Sequence, residues 1–183
     1  MRLLRESDLL QVHALQSLPE VDRYNTSGIP ASLEITEKQM TDWLLQQNEK
    51  PSKRYTFCME LTEGSFIGLL GIVMGKAHYR NAEVWYKVLP SFWNQGYATE
   101  AVHCALHFGF VKLNLHRMEA GCATENTASI RVLEKAGMTR EGHRRKLLPI
   151  RGNWYDNYEY AILNSDYAPN QISISLIGFD SIV

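Results

Sequence analysis

Three stretches of this chain hold residue types at spacings that could do chemistry. The first is Leu89 to Ala101, reading LPSFWNQGYATEA. Gly96 and the small Ala98 let backbone come close to a ligand there. A helix beginning just after them would expose the amides of Asn94 to Thr99 at its positive end, an arrangement that suits a phosphate. A single glycine is equally ordinary punctuation between a strand and a helix. The second stretch is Glu125 to Met138, reading ENTASIRVLEKAGM. Asn126 suits a helix cap, and Ile130, Leu133 and Ala136 form part of a buried stripe along that helix. The third is Glu83, a carboxylate on the strand before the glycine turn, which could act as a base or be an exposed strand residue. Glu100, His103 and His107 share a helix face at metal-like spacing, but no third-element ligand accompanies them and the HEXXH order is absent, so no metal is expected. His13 is expected to be packed or exposed rather than catalytic.

The surrounding pattern supplies elements to position these groups. Ala82 to Val88 is rich in β-branched and aromatic residues and predicts a strand. Ala98, Ala101, Val102, Ala105, Leu106 and Gly109 recur at helical spacing, so a helix runs on to about Lys112. Upstream, residues 2–5 predict a short strand, and Ser7 can cap a helix from Asp8 to just before Pro19. Thr36 to Gln39 form a capping box, with Ile35 and Met40 as its hydrophobic staple, for a helix reaching about Gln47. Residues 55–61 and 66–74 predict a hairpin, and Gly68 and Gly71 within it imply a bulge or a close backbone neighbour. Residues 117–123 predict another strand, and Gly137 closes the helix that Asn126 opens. A last hairpin, 141–149 and 154–163, turns at Arg151-Gly152-Asn153. Its His143-to-Lys146 run suits a solvated edge, and Trp154, Tyr155, Tyr158 and Tyr160 suit hairpin and core pairs.

Composition narrows the class. A chain of 183 residues fits one domain, here 1–167, followed by a tail, 168–183, with weak strand patterning. That tail could be an added edge strand, an oligomer contact or a disordered end. A formal net charge of -1 gives no global field for nucleic acid or an anionic membrane. The apolar run Phe66 to Met74 is too short to span a bilayer, and the first residues lack the core of a signal peptide. Three cysteines without a C-x-x-C pattern suit a reducing, cytoplasmic setting.

The segment W-x-x-G-Y-A-T-E-A after a strand ending in proline resembles the pyrophosphate loop of the GNAT N-acetyltransferase superfamily. Trp93 stands where that loop usually has glutamine or arginine, a variant similar to the ribosomal-protein-alanine N-acetyltransferase (RimJ/RimL-like) branch. Asn126 to Met138 resembles the family's N-x-x-S…E-K-x-G-F segment, with Met138 for the usual aromatic. The resemblance implies an α/β GNAT fold: a mixed, mostly antiparallel central sheet flanked by about four helices, its strands splayed at an acetyl-CoA site. Acetyl-CoA would be the co-substrate. Its pyrophosphate would rest on Trp93, Asn94, Gln95, Gly96, Tyr97, Ala98 and Thr99, and its pantetheine arm beside free backbone groups of Val88 and Leu89. Asn126, Ser129 and Lys135 match the family's second coenzyme segment. Tyr24 and Asn25, between the two early helices, match a segment that often lines the acceptor site.

Two departures shape the expected mechanism. Many members carry a tyrosine in the second motif that protonates the leaving sulfur, and Leu133 occupies that register here. By resemblance to the ribosomal-protein branch, Ser129 would meet the thiolate instead. The same branch sometimes carries a glutamate base on the first strand of the final hairpin, but that region reads Lys146-Leu147-Leu148-Pro149 here, without a carboxylate, so Glu83 is the substitute base. A weak base suits an α-amino group, with a pKa near ~8, better than a lysine near ~10.4. The expected acceptor is therefore a protein N-terminus, such as that of a ribosomal protein. A small amine (polyamine, amino acid or antibiotic) is the second reading, and a weakly catalytic acyl-CoA-binding module the third. A homodimer is left open.

Overall fold

The computed structural model describes residues 1–168; the tail expected to add a strand or contact lies outside the described residues from 169 onward. Seven strands form one sheet in the order β1-β2-β3-β4-β5-β7-β6. They are β1 (Arg2–Leu3), β2 (Arg54–Glu60), β3 (Phe66–Met74), β4 (Asn81–Val88), β5 (Arg117–Ala123), β6 (Thr139–Ile150) and β7 (Asn153–Leu163). Every neighbouring pair is antiparallel except β4–β5. The helices are α1 (Leu9–Gln16), a single turn α2 (Pro19–Asp22), α3 (Leu33–Asn48), α4 (Tyr97–His107) and α5 (Thr127–Lys135). The mixed, mostly antiparallel sheet and its flanking helices match the expected architecture.

Strand alternation assigns the two faces. Phe57, Leu70, Val84 and Val88 turn toward α4 and α5, where they join Val102, Ala105, Leu106, Phe108 and Leu133 in the larger core. Cys58, Leu69 and Trp85 turn the other way, against Val12 and Leu15 of α1 and Met40 and Trp43 of α3. Gly71 makes that second face possible, because a Cβ there would come within 2.2 Å of the Trp85 ring. The close neighbour expected at Gly71 is thus an indole, which also lies 5.4 Å from the Trp43 ring. The expected bulge is present opposite Gly68, between Met59 and Glu60 of β2.

Two early helix boundaries differ from the sequence pattern. Ser7 caps no α-helix: Glu6–Asp8 is a 3-10 turn and α1 begins at Leu9. Asp8 is turned inward instead, accepting from Arg2 at 2.8 and 2.7 Å, from the Arg5 amide at 2.8 Å and from the Cys58 thiol at 3.3 Å. The Thr36–Gln39 capping box is likewise not a start. Ser32, extended at φ -157°, precedes α3, and Thr36 is buried one turn inside it. Its hydroxyl is spent on His13 Nδ1 at 2.7 Å, so α1–α3 packing outcompetes the local cap.

β4 and β5 part company early. They pair only at Asn81↔Arg117, Ala82↔Met118 and Glu83↔Glu119, after which β5 follows β7 while β4 stays with β3. The resulting gap lies between the end of β4 and the start of α5.

Burial alone would raise the Asp8 pKa, but its bonds to Arg2, the Arg5 amide and Cys58 outweigh that and hold it below its ordinary value of 3.8. The group therefore contributes stability that is complete above that value and lost as pH falls through the lowered folded pKa. Asp8→Asn should cost about 2–3 kcal/mol in urea unfolding at pH 7, leaving Arg2 half-buried without its main partner. The loss should shrink when the same measurement is made below pH 4.

Candidate active site

The loop from β4 to α4 is built by short-range bonds. A 3-10 turn, Pro90–Phe92, carries the chain away from β4, and Trp93 N–H donates to the Pro90 carbonyl at 3.1 Å. The Trp93 indole folds back and donates to the Val88 carbonyl at 2.7 Å. Gln95 bonds the Ser91 carbonyl at 2.8 Å. Asn94 and Gly96 hold left-handed conformations, at φ 59° and 92°. Open space surrounds Gly96, so its backbone angle rather than crowding calls for glycine. These turns deliver Tyr97, Ala98 and Thr99 into the first turn of α4, where amides have no intrahelical acceptor.

Leu89 departs from expectation and Val88 does so in part. The Leu89 amide is not free but donates to Ile67 of β3 at 2.8 Å, and the Val88 carbonyl accepts the indole. The antiparallel alternation that pairs Gly68 with Val88 turns the Val88 peptide groups away from β3, toward the gap that β5 vacates. One amide edge thus faces the gap, and Trp93 latches the loop to the strand instead of contributing a donor at its tip.

Across the gap, Asn126 caps α5 by accepting from the Ser129 amide at 3.1 Å. This holds Ser129 on the first turn, and its Oγ lies 2.7 Å from the Tyr86 hydroxyl of β4. Tyr86 belongs to no motif. The signal that could have found it is strand parity, which places residue 86 with Val84 and Val88 on the α4–α5 face. Cys122 of β5 completes the cluster. Burial pushes its thiol up to about 11, against the pull of a hydrogen bond to Ser129 and with a further push from Glu134. Tyr86 is raised well above its ordinary value by burial, only partly offset by Ser129 and reinforced by Cys122. Both groups therefore stay protonated at neutral pH.

Glu83 and Lys135 are not brought to this cluster. Glu83 sits where β4 and β5 are still paired, on the opposite sheet face and three residues, about 10 Å along the strand, from Tyr86. Desolvation raises its pKa first, and Glu119 and Glu159 add to this against Arg54. Lys135 is exposed in the last turn of α5, six residues and about 9 Å along the axis from Ser129.

Next to the α5 cap, at Glu125, a separate cleft is assembled from distant segments. Tyr24 donates to the Glu125 carbonyl at 3.1 Å, and Arg151, at the β6–β7 turn, holds Asp22 at 2.9 Å. A cavity of about 240 Å³ lies between them, lined by Arg23, Tyr24, Glu125, Ile150, Arg151 and Tyr155. Asn25 takes no part in the lining, its amide being bonded to the Val21 carbonyl at 3.0 Å. Among the described residues no cluster of three or more His, Cys, Asp or Glu could hold a metal, and His107 is bonded to Tyr167 at 3.1 Å.

The acetyltransferase (GNAT) domain family model matches residues 1–139. The chain is a member of the GNAT acetyltransferase family. An uncharacterized N-acetyltransferase of Bacillus subtilis, YnaD, is 44% identical over 85 residues, which is 46% of this chain and 50% of that protein's length. An acetyltransferase (GNAT family) structure from Bacillus anthracis superposes with a TM-score of 0.76 at 31% identity, covering 90% of this chain and 93% of that one. The spermidine N-acetyltransferase of Vibrio cholerae, solved with CoA and spermine, gives a TM-score of 0.82 at 25% identity over 91% of this chain and 95% of that one. This family member uses acetyl-CoA as co-substrate, and the anion-ready loop beside the vacated strand edge fits that molecule.

The latch has a measurable consequence. Trp93→Phe should weaken acetyl-CoA binding by about 3- to 10-fold, the worth of one hydrogen bond, in isothermal titration. The acetyl-transfer step should be nearly unchanged at saturating acetyl-CoA.

Proposed function

We propose that this GNAT enzyme acetylates the primary amine of a small molecule. The observation that carries this reading is the compact cavity between α2, the α5 cap and the β6–β7 turn, about 240 Å³ in volume. Two cross-links border it, Tyr24 to Glu125 and Arg151 to Asp22, and its volume is of the order of a small amine rather than of several peptide residues. The similarity to a spermidine acetyltransferase supports a small amine as well. None of the relatives named above is a ribosomal-protein acetyltransferase, so the protein N-terminus suggested by Trp93 and Ser129 gives way to the small-amine reading.

In this reading the amides of Asn94 to Thr99 hold the coenzyme pyrophosphate, and the Val88 amide edge aligns the pantetheine arm. Acetyl-CoA supplies a thioester whose acetyl carbon accepts the amine nitrogen. The main contribution of the protein is to hold the two reactants in line, worth up to about 7–11 kcal/mol. Ser129 donates its O–H toward the sulfur as the C–S bond breaks and the electron pair moves onto it. With Glu83 on the other face, the amine reaches its neutral form by losing a proton to water before attack.

Two measurements test this. An acceptor panel read by release of free CoA should give higher kcat/KM for small amines, polyamines included, than for peptides beginning with Ala or Ser; preferential turnover of the peptides would overturn the small-amine assignment. Glu83→Gln should leave kcat within about twofold of the parent, and kcat/KM for the amine should rise with pH toward the acceptor's own pKa, about 10 for an alkylamine. A plateau set by a carboxylate, abolished in Glu83→Gln, would instead make Glu83 the base.

A further inference from the structure

We propose that Tyr86 is a positioning residue for the leaving thiolate, acting through Ser129. This rests on the reading above in which Ser129 meets the sulfur. The family tyrosine of the second motif is absent here, since Leu133 fills its register and is buried in the core. A phenol nevertheless lies within reach of the same serine, supplied by the strand across the gap. The Tyr86 hydroxyl sits 2.7 Å from Ser129 Oγ, and 3.5 Å from the Ser129 carbonyl.

A serine hydroxyl carries one hydrogen and can rotate it toward any acceptor nearby. Tyr86 limits that freedom. Its own proton stays in place across the working pH range, because burial and the Cys122 thiol both oppose a phenolate. When charge develops on sulfur, the Tyr86 O–H donates to Ser129 Oγ and the Ser129 O–H points at the sulfur. The amine nitrogen forms its bond to the acetyl carbon, the C–S bond breaks, and both electrons leave on sulfur. The amine proton goes to water, and neither hydroxyl is ionised at any stage. A donor that is itself a hydrogen-bond acceptor becomes the stronger donor, so the pair stabilises the thiolate more than serine alone.

The remaining charged and titratable groups around the pair are few. From β5 comes Cys122, pushed up to about 11, and from α5 comes Glu134, whose charge bears on Cys122 from a distance. Glu134 is itself occupied by the Tyr160 hydroxyl at 3.3 Å. Burial likewise raises the Cys104 and Cys58 thiols. Subtracting the desulfo-CoA complex removes whatever the protein thiols contribute, so the ultraviolet thiolate signal that remains belongs to the ligand.

The test compares the parent with Tyr86→Phe, Ser129→Ala and the double variant. The first reading is the pKa of bound CoA thiol, followed by thiolate absorbance against the desulfo-CoA complex. The expected result is a rise of about one unit in Tyr86→Phe, with a similar or larger rise in Ser129→Ala. The second is the single-turnover rate with the best acceptor from the panel. Tyr86→Phe should slow it roughly tenfold with an unchanged KM for acetyl-CoA, and should slow Ser129→Ala no further. An unchanged thiol pKa in Tyr86→Phe, or a full additional loss in the double variant, overturns the proposal. Absence of turnover by the parent protein would overturn the acetyltransfer reading alone, since the thiol titration needs no acceptor. Melting temperatures matched to the parent within the series confirm that packing is intact, and Ser129→Ala supplies the comparison if Tyr86→Phe folds poorly.

Discussion

The site depends on a pairing that stops. β4 and β5 share only the Asn81, Ala82 and Glu83 registers before they diverge. A strand in the middle of a sheet normally spends its amides and carbonyls on both neighbours. Beyond Glu83 the β5-facing edge of β4 has no strand to pair with, and the molecule meets that deficit with other groups. Trp93 takes the Val88 carbonyl, and the Tyr86 side chain bridges the gap to Ser129. What is left of the edge can bind an extended ligand arm as a strand would. The anion-ready end of α4 lies beside the same edge because Pro90–Phe92 turns the chain so tightly.

Much of this architecture was legible in the residues. β4, α4, β5 and α5 follow from alternation, helical spacing and two caps, and Asn126 behaves as its type predicts. The loop around Gly96 was legible for the same reason, since its geometry is set by contacts a few residues apart. The errors have a common physical origin. Ser7 and Thr36 looked like caps because local chemistry allowed it, yet Asp8 is drawn inward to Arg2 and Thr36 to His13 by partners that pattern cannot reveal. The Leu89 amide and the Val88 carbonyl are taken by the Ile67 carbonyl and the Trp93 indole, partners that pattern cannot place, while the Val88 amide still faces the gap.

Tyr86 and Glu83 show the same limit within the site. Both lie on one strand, three residues apart, and a carboxylate is the more conspicuous candidate. Strand parity separates them onto opposite faces, and only the position of α5 gives residue 86 its partner. The group placed against Ser129 is therefore a phenol outside either motif, while the conspicuous acid stands among Glu119 and Arg54.

The gap and the cleft beside it also differ in how far along the chain their contacts reach. The Trp93 latch closes over five residues, whereas Tyr24 to Glu125 and Arg151 to Asp22 span 101 and 129. Contacts of the first kind form quickly and nearly anywhere, while those of the second must wait for most of the chain to condense. The wall joining α2 to the last hairpin thus needs nearly the whole chain in place, and β7 is also what draws β5 away from β4. One late strand therefore both opens the gap and carries, through its turn with β6, the arginine that ties the far wall to α2.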